Sequence, residues 1–179
     1  EMRALFDFNR GILASAEGEL PEAERLYESS LEQLDGLRTE TTLRRGRMLN
    51  NLGSIEGLQG RHDESIAHLE QAYAIFEDAM GPHHPWSLTT RGNVAAGKAA
   101  KGDYAAALID FEITLEGKRA LLGEKNTDVG ISYHNVGSVL SALGREEEAL
   151  RHFEAALSIK ESGFGPEHVS TALTQANLG

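Results

Sequence analysis

Apolar residues recur at three- and four-residue steps through most of the chain, and small or polar residues interrupt them at regular points. Between Thr127 and Ala142, the residues Val129, Tyr133, Val136, Val139 and Leu140 mark one face of a helix. Gly144 then breaks the run, as a glycine does just past a helix C-terminus. Glu146, Glu147 and Glu148 follow, where the dipole of a new helix favours acids. Ala149, Leu150, Phe153, Ala156 and Leu157 mark its buried stripe, and Gly163 with Gly165-Pro166 ends it. The same reading predicts helices over 3–17, 21–36, 42–59, 63–79, 86–101 and 103–121, and a last one starting near Glu167. No stretch alternates at period two, so no strand is predicted.

The pattern repeats every 42 residues. Asn135-Val136-Gly137, Gly144, Ala149, Phe153 and Gly165 return as Asn93-Val94-Ala95, Gly102, Ala107, Phe111 and Gly123. They return again as Asn51-Leu52-Gly53, Gly60, Ser65, Leu69 and Gly81, and as Asn9-Arg10-Gly11, Gly18, Ala23 and Tyr27. A fifth marker, Asn177-Leu178-Gly179, stands where the sequence stops, which is expected of a piece of a longer protein. Short inner turns make the two helices of each unit antiparallel neighbours. Ala or Ser at 23, 65, 107 and 149 lets the backbones approach, and Tyr27, Leu69, Phe111 and Phe153 fill the space beside them. One helix pair cannot bury both its faces, so the pairs are expected to stack.

Composition narrows the partners. The chain has 179 residues, 40% of them hydrophobic, enough for a core. Its net charge of −11 argues against nucleic acid and against anionic membrane surfaces. No apolar run reaches the length of a membrane span. The absence of cysteine excludes disulfides and thiolate chemistry and fits a cytoplasmic setting.

A period of 42 suits HEAT-type arrays and WD40 blades as well. Without period-two alternation the WD40 reading fails. The order Gly–Gly–small–aromatic–small, together with the loops Gly81-Pro82-His83-His84-Pro85 and Gly165-Pro166-Glu167-His168, resembles the tetratricopeptide repeat in its 42-residue kinesin-light-chain form. The resemblance implies an all-α fold, an α-α superhelix (TPR solenoid) of four helix pairs plus a truncated fifth first-helix. The whole of 1–179 would be a single array, with repeats at about 1–41, 42–84, 85–126 and 127–168 and a partial one at 169–179. It further implies a protein-interaction region of a larger, bacterial-type signalling protein. The first unit departs from the pattern, with Leu37-Arg38-Thr39-Glu40 in place of the Gly-Pro-His loop. The third places Arg91 and Lys98 at slots the family fills with apolar residues. It also carries Gly92 and Gly97 inside a helix, at about 1 kcal/mol each relative to Ala. Helix 86–101 is therefore expected to be weak or to be a site of close contact.

The Asn column is the sharpest candidate for chemistry. By the resemblance, first helices line a concave face, so Asn9, Asn51, Asn93, Asn135 and Asn177 would share one groove. Packed helices lie about 8–10 Å apart and an extended peptide advances about 3.3–3.6 Å per residue. One carboxamide per repeat, with donors and an acceptor, would meet every third peptide residue. The bland alternative is an Asn that bonds the neighbouring helix and sets repeat spacing; both can hold together. Specificity would come from Arg47, Asn50, Ser54 and Leu58, then Thr89, Gly92, Ala96 and Ala100, then Ile131, His134, Ser138 and Ala142. No Lys/Arg pair forms a carboxylate clamp. Over 43–59, 86–101 and 128–143 there are six bases against Glu56 and Asp128, and over 62–80, 103–121 and 145–162 fourteen acids against five bases, so acidity belongs to the outer helices. That charge reads as a solvated outer face.

His83, His84 and His168 have no ligand-like spacing, so a capping or packing role is expected and no metal. His62, His68 and His152 fall on outer helices and read as surface. Trp86, after Pro85, reads as a packing anchor. No nucleotide loop or nucleophile elbow is present, and no two carboxylates are placed as an acid/base pair, so neither an enzyme nor a cofactor is expected. The expected partner is a protein or peptide. Self-association through the array ends and a small-ligand sensor are the alternatives.

Overall fold

The computed structural model describes residues 2–34 and 40–178. Its contacts divide into two compact units, Glu1–Gly97 and Lys98–Gly179. The first holds α1 (Met2–Ala16), α2 (Leu20–Leu34), α3 (Glu40–Leu58), α4 (His62–Met80) and most of α5 (Pro85–Ala100). The second holds α6 (Tyr104–Leu122), α7 (Thr127–Ala142), α8 (Glu146–Phe164) and α9 (Val169–Ala176). Among the described residues every regular element is helical, as the period of the apolar positions predicts. The expected end of the second helix at 36, the segment Leu37-Arg38-Thr39 and Gly179 lie outside the described residues.

Three-residue turns join α1 to α2, α3 to α4 and α7 to α8, which folds each pair into an antiparallel hairpin. The turn is built the same way each time. Gly18, Gly60, Gly102 and Gly144 have φ of +81°, +80°, +85° and +73°, a left-handed backbone that closes the preceding helix. At the second of them Arg61 donates its N–H back to the Glu56 carbonyl at 2.9 Å. A side chain here would strain the backbone, which accounts for the strict 42-residue glycine column.

A second kind of glycine lets the hairpins close. A Cβ on Gly53 would stand 2.8 Å from Leu69 Cγ and 2.9 Å from the Ser65 carbonyl oxygen. One on Gly137 would stand 2.9 Å from the Phe153 ring. The small residue on the second helix (Ala23, Ser65, Ala149) is buried at the same crossing. Gly97 meets Ile66 in the same manner, with a Cβ-to-Cγ1 approach of 2.8 Å, so α5 is a close-contact helix there.

The first unit's core joins Ala4, Phe8, Ala23, Leu26, Tyr27 and Leu34 to Met48, Leu52 and Ile55 of α3. Leu49, Ala72 and Phe76 form an adjoining cluster. The second unit buries Phe111, Leu115, Val129, Val136, Val139, Leu140, Phe153 and Ala156. Among the described residues buried charge appears at three places: Asp7, which accepts from Gln33 Nε2 at 2.8 Å and Ser29 Oγ at 3.1 Å, Glu56 and Lys160. Glu56 meets His68 Nδ1 at 2.7 Å and the Arg61 guanidinium at 3.6 Å, while Arg61 also pairs with Glu24. Lys160 donates to Thr174 Oγ1 at 2.8 Å and to the Ser170 carbonyl at 3.2 Å.

The histidines divide by slot. His84 Nδ1 accepts the Trp86 N–H at 3.2 Å and His168 Nδ1 accepts the Ser170 N–H at 3.1 Å. Asn126, at the equivalent position between them in sequence, accepts the Asp128 N–H at 2.8 Å. These are helix N-caps, as expected for the loop histidines. The outer-helix histidines are not surface residues. His68 is half-buried against Glu56, His152 packs on Tyr133 at 5.8 Å, and His62 Nδ1 is buried without a partner. They lie where outer helices meet first helices, a boundary that helix periodicity alone blurs.

Candidate functional site

In the first unit α3 and α5 run beside each other and open a cleft of about 180 Å³. Arg47, Asn50 and Asn51 reach it from α3, at the i, i+3 and i+4 positions of one helix face. Trp86, Thr89 and Thr90 reach it from the start of α5, and Phe76 of α4 forms its floor. Pro85 sits at the first position of α5, where its missing N–H costs nothing, and sets Trp86 in the first turn.

Four hydrogen bonds among amide and hydroxyl groups tie this cleft together. Asn50 Oδ1 accepts from Thr90 Oγ1 at 3.1 Å and from Asn93 Nδ2 at 3.2 Å. Asn50 Nδ2 donates to Asn51 Oδ1, and Asn51 Nδ2 donates to the Tyr27 hydroxyl, both at 3.4 Å. Burial raises the pKa of that phenol against the lowering effect of the Asn51 bond. Capacity remains. Among the described residues Asn93 Oδ1 accepts no hydrogen bond, and the two 3.4 Å contacts are at the weak end of the range. The Asn column in this unit therefore sets helix spacing and still presents polar edges.

Arg47 supplies the charge. Its guanidinium lies 5.2 Å from the Phe8 ring centroid and 5.6 Å from that of Trp86, and among the described residues it has no carboxylate in reach. Trp86 leans on Phe76 at 5.4 Å and is still 41% exposed. It is both the expected packing anchor and an open aromatic face.

The remaining candidates are placed as follows. Asn9 is exposed on α1, with no side-chain partner among the described residues. Ser54 donates back to the Asn50 carbonyl at 2.8 Å, and Thr89 is exposed on the cleft rim. In the second unit Asn135 is half-buried and makes no side-chain hydrogen bond among the described residues, and Ile131 is half-buried beside it along α7. Ser138 donates to the His134 carbonyl at 3.0 Å. His134 Nδ1 lies 3.0 Å from Thr174 Oγ1, and its ring lies 5.5 Å from Phe153. Burial, with Lys160 adding its charge, pushes the His134 pKa down to about 4, so the imidazole is neutral near pH 7. α9 ends at Ala176, and Asn177 is its C-cap, turning its backbone N–H back to the Thr174 and Gln175 carbonyls.

Sequence reasoning passed over Phe76, Thr90, Lys160 and Thr174. Thr174 meets His134 as Thr90 meets Asn50, two periods apart. The signal was present in the slots, since 90 and 174 are both Thr and 76 and 160 are the same outer-helix position. The buried carboxylate Glu56 was also missed, because a lone acid on a first helix carries no periodic mark. Among the described residues no cluster of ligating side chains could hold a metal, and no helix is long and apolar enough to cross a membrane.

Known proteins show the same build. The tetratricopeptide repeat pattern matches residues 44–120, 88–162 and 128–179. A clustered mitochondria protein homolog of Danio rerio is 25% identical over 129 residues, covering 70% of this chain and 9% of that protein. The chain thus spans less than a tenth of that relative's length. A Podosopora anserina structure, described as a kinesin light chain with nearly identical TPR-like repeats, superposes with a TM-score of 0.81 at 22% identity, over 99% of this chain and 85% of that one. A Rap protein complexed with Competence and Sporulation Factor gives 0.80 at 19% identity, over 98% of this chain and 47% of that one. Its sequence pattern matched from residue 44 to the end and its all-α superhelical fold shared with these structures, the chain belongs to the tetratricopeptide repeat family, in the 42-residue, kinesin-light-chain-like form.

Proposed function

We propose that the chain is a protein–protein interaction module that holds an extended segment of its partner against the first helices. The observation that carries this reading is the α3–α5 cleft. Among the described residues Arg47 has no counter-charge there and the Asn93 carboxamide keeps an unused acceptor, and Trp86 is exposed beside them. Such a rim can take a peptide N–H on Asn93 and a carboxylate or carbonyl on the Arg47 fork. Asn135 and the neutral His134 give the second unit comparable polar edges. The Rap protein whose solved complex contains Competence and Sporulation Factor supports a ligand-holding role for this fold. Within a longer protein the module would localise or regulate an attached domain.

A small-ligand sensor is the weaker reading. A cleft of about 180 Å³ falls below the ~300–1,000 Å³ of drug-sized ligand pockets. Selection of random linear peptides on the purified chain tests the proposal directly. Peptides are expected to be captured, and Arg47→Ala with Asn93→Ala should weaken them at least about tenfold. Failure to capture any peptide, or full-strength binding by that double variant, would remove the proposal.

A further inference from the structure

Asn93 stands on α5 one turn beyond Thr89 and Thr90 of the cleft. Among the described residues the one buried side-chain nitrogen or oxygen without a hydrogen bond is His62 Nδ1, so the half-buried Asn93 keeps its open oxygen in reach of solvent. Its Nδ2 is held from the other side, donating to Asn50 Oδ1 at 3.2 Å. That oxygen also takes the hydroxyl of the buried Thr90 at 3.1 Å, so both its lone pairs are used. Turning Asn93 round would set two carboxamide oxygens face to face across the gap the bond now spans. Relief would need Asn50 to turn as well, taking the acceptor from the Thr90 hydroxyl, and then Asn51, whose Oδ1 accepts from Asn50 Nδ2. Behind Asn51 the relay ends on the buried Tyr27 hydroxyl.

Asn50 precedes Asn93 by 43 residues. At the same interval Asn51 is preceded by Phe8 and Asn135 by Gly92, neither of which carries a side-chain acceptor. Asn51 has both edges engaged, its oxygen by Asn50 and its nitrogen by Tyr27. Asn135 makes no side-chain hydrogen bond among the described residues and can turn to suit a donor or an acceptor. Of these three carboxamides Asn93 alone shows one fixed open edge, and that edge is an acceptor. We infer that Asn50 is a positioning residue for the ligand: it holds the Asn93 carboxamide oxygen-outward, so the partner must present a free backbone N–H at that point. This rests on the proposed peptide-holding function and gives it a selectivity. Proline, an N-methylated residue or a backbone ester is rejected there, because each lacks the N–H.

The probe is a peptide selected on the intact chain, remade as a series in which one backbone N–H at a time is replaced by an ester oxygen. Titration calorimetry should find one analogue that binds the natural chain at least about tenfold more weakly than its parent, the loss of one hydrogen bond. On Asn93→Ala that analogue and its parent should bind within about threefold of each other, which marks the position. Asn50→Leu, which lets Asn93 turn, should likewise shrink the penalty to about threefold or less. Asn50→Asp, which keeps oxygens towards Thr90 and Asn93, should retain it. A merely structural Asn50 would weaken every analogue alike and leave the penalty in place. The ligand-free chain gives a second reading: by isotope-edited NMR the Asn93 carboxamide protons should exchange with water at least about fivefold more slowly than those of Asn135. Capture of no peptide removes the peptide-holding function and this inference with it. Four results overturn this inference alone: captured peptides with no ester-sensitive position at Asn93, a penalty that survives Asn50→Leu, one that Asn50→Asp abolishes, or equal exchange rates.

Discussion

Lys160 buries its ammonium against Thr174, donating to the hydroxyl at 2.8 Å, with no carboxylate in contact among the described residues. The same slot two periods earlier holds Phe76, also 2% exposed. Burial lowers the Lys160 pKa from its ordinary value of 10.5.

That lowering makes the charged form a cost in the fold. Lys160→Met keeps the length and removes the ion, and should stabilise the chain by about 1–2 kcal/mol in urea unfolding near pH 7. The sign with pH is definite. The unfolded chain binds more protons than the folded one between the depressed folded pKa and 10.5, so stability of the natural protein rises with pH across that window. The variant should lack this rise. A loss of stability in Lys160→Met would show that its two hydrogen bonds outweigh desolvation.

His134 titrates in the opposite part of the scale. Its folded pKa of about 4 lies below the ordinary 6.5, because burial and the nearby Lys160 oppose a second positive charge. Protons are therefore bound by the unfolded chain first, and the stability held above pH 6.5 falls as pH drops from 6.5 to 4, by a few kcal/mol at most. His134→Asn, which copies Asn50 in the equivalent slot, should flatten that part of the acid profile and change stability at pH 7 by less than about 1 kcal/mol. Thermal melts at half-unit pH steps read both.

Gly53→Ala sets two effects against each other. Helix propensity favours Ala by about 1 kcal/mol, but the new methyl would lie 2.9 Å from the Ser65 carbonyl oxygen, a backbone atom that cannot swing away. Overpacking of this kind costs about 1–3 kcal/mol, so net destabilisation is expected, with a lower denaturant midpoint. A midpoint above that of the natural chain would mean that the α3–α4 hairpin can spread.

Arg47 and Trp86 should separate binding from folding. Arg47→Ala removes exposed cation–π contacts worth about 0.5–1 kcal/mol each, and the melting temperature should move by only a few degrees. Trp86→Ala also uncovers Phe76 and should cost about 1–3 kcal/mol of stability. Titration calorimetry with a selected peptide should record losses for both variants. Binding indifferent to Arg47 would leave the cleft as packing alone.

The hairpins were legible because each depends on local rules. A left-handed turn admits little but glycine, and a tight helix crossing admits only small residues, so Gly60, Gly53 and Ser65 announce themselves at fixed intervals. The cleft was half legible. Arg47, Asn50, Asn51 and Thr89 follow from slot counting, whereas Phe76 and Thr90 enter from the buried sides of neighbouring helices, where apolar and small polar residues look alike in sequence.

The residue order alone determined the period, the helix pairs, the loops and the column of carboxamides, since these depend on steric limits acting within about forty residues. Only the folded structure decided what each carboxamide does. Asn50 is the acceptor for Thr90 and Asn93, Asn135 has no side-chain bond among the described residues, and Asn9 stands in the open, although all but Asn50 share one slot. A side chain's hydrogen bonds depend on what neighbouring helices bring within about 3 Å, and identical slots carry no record of that.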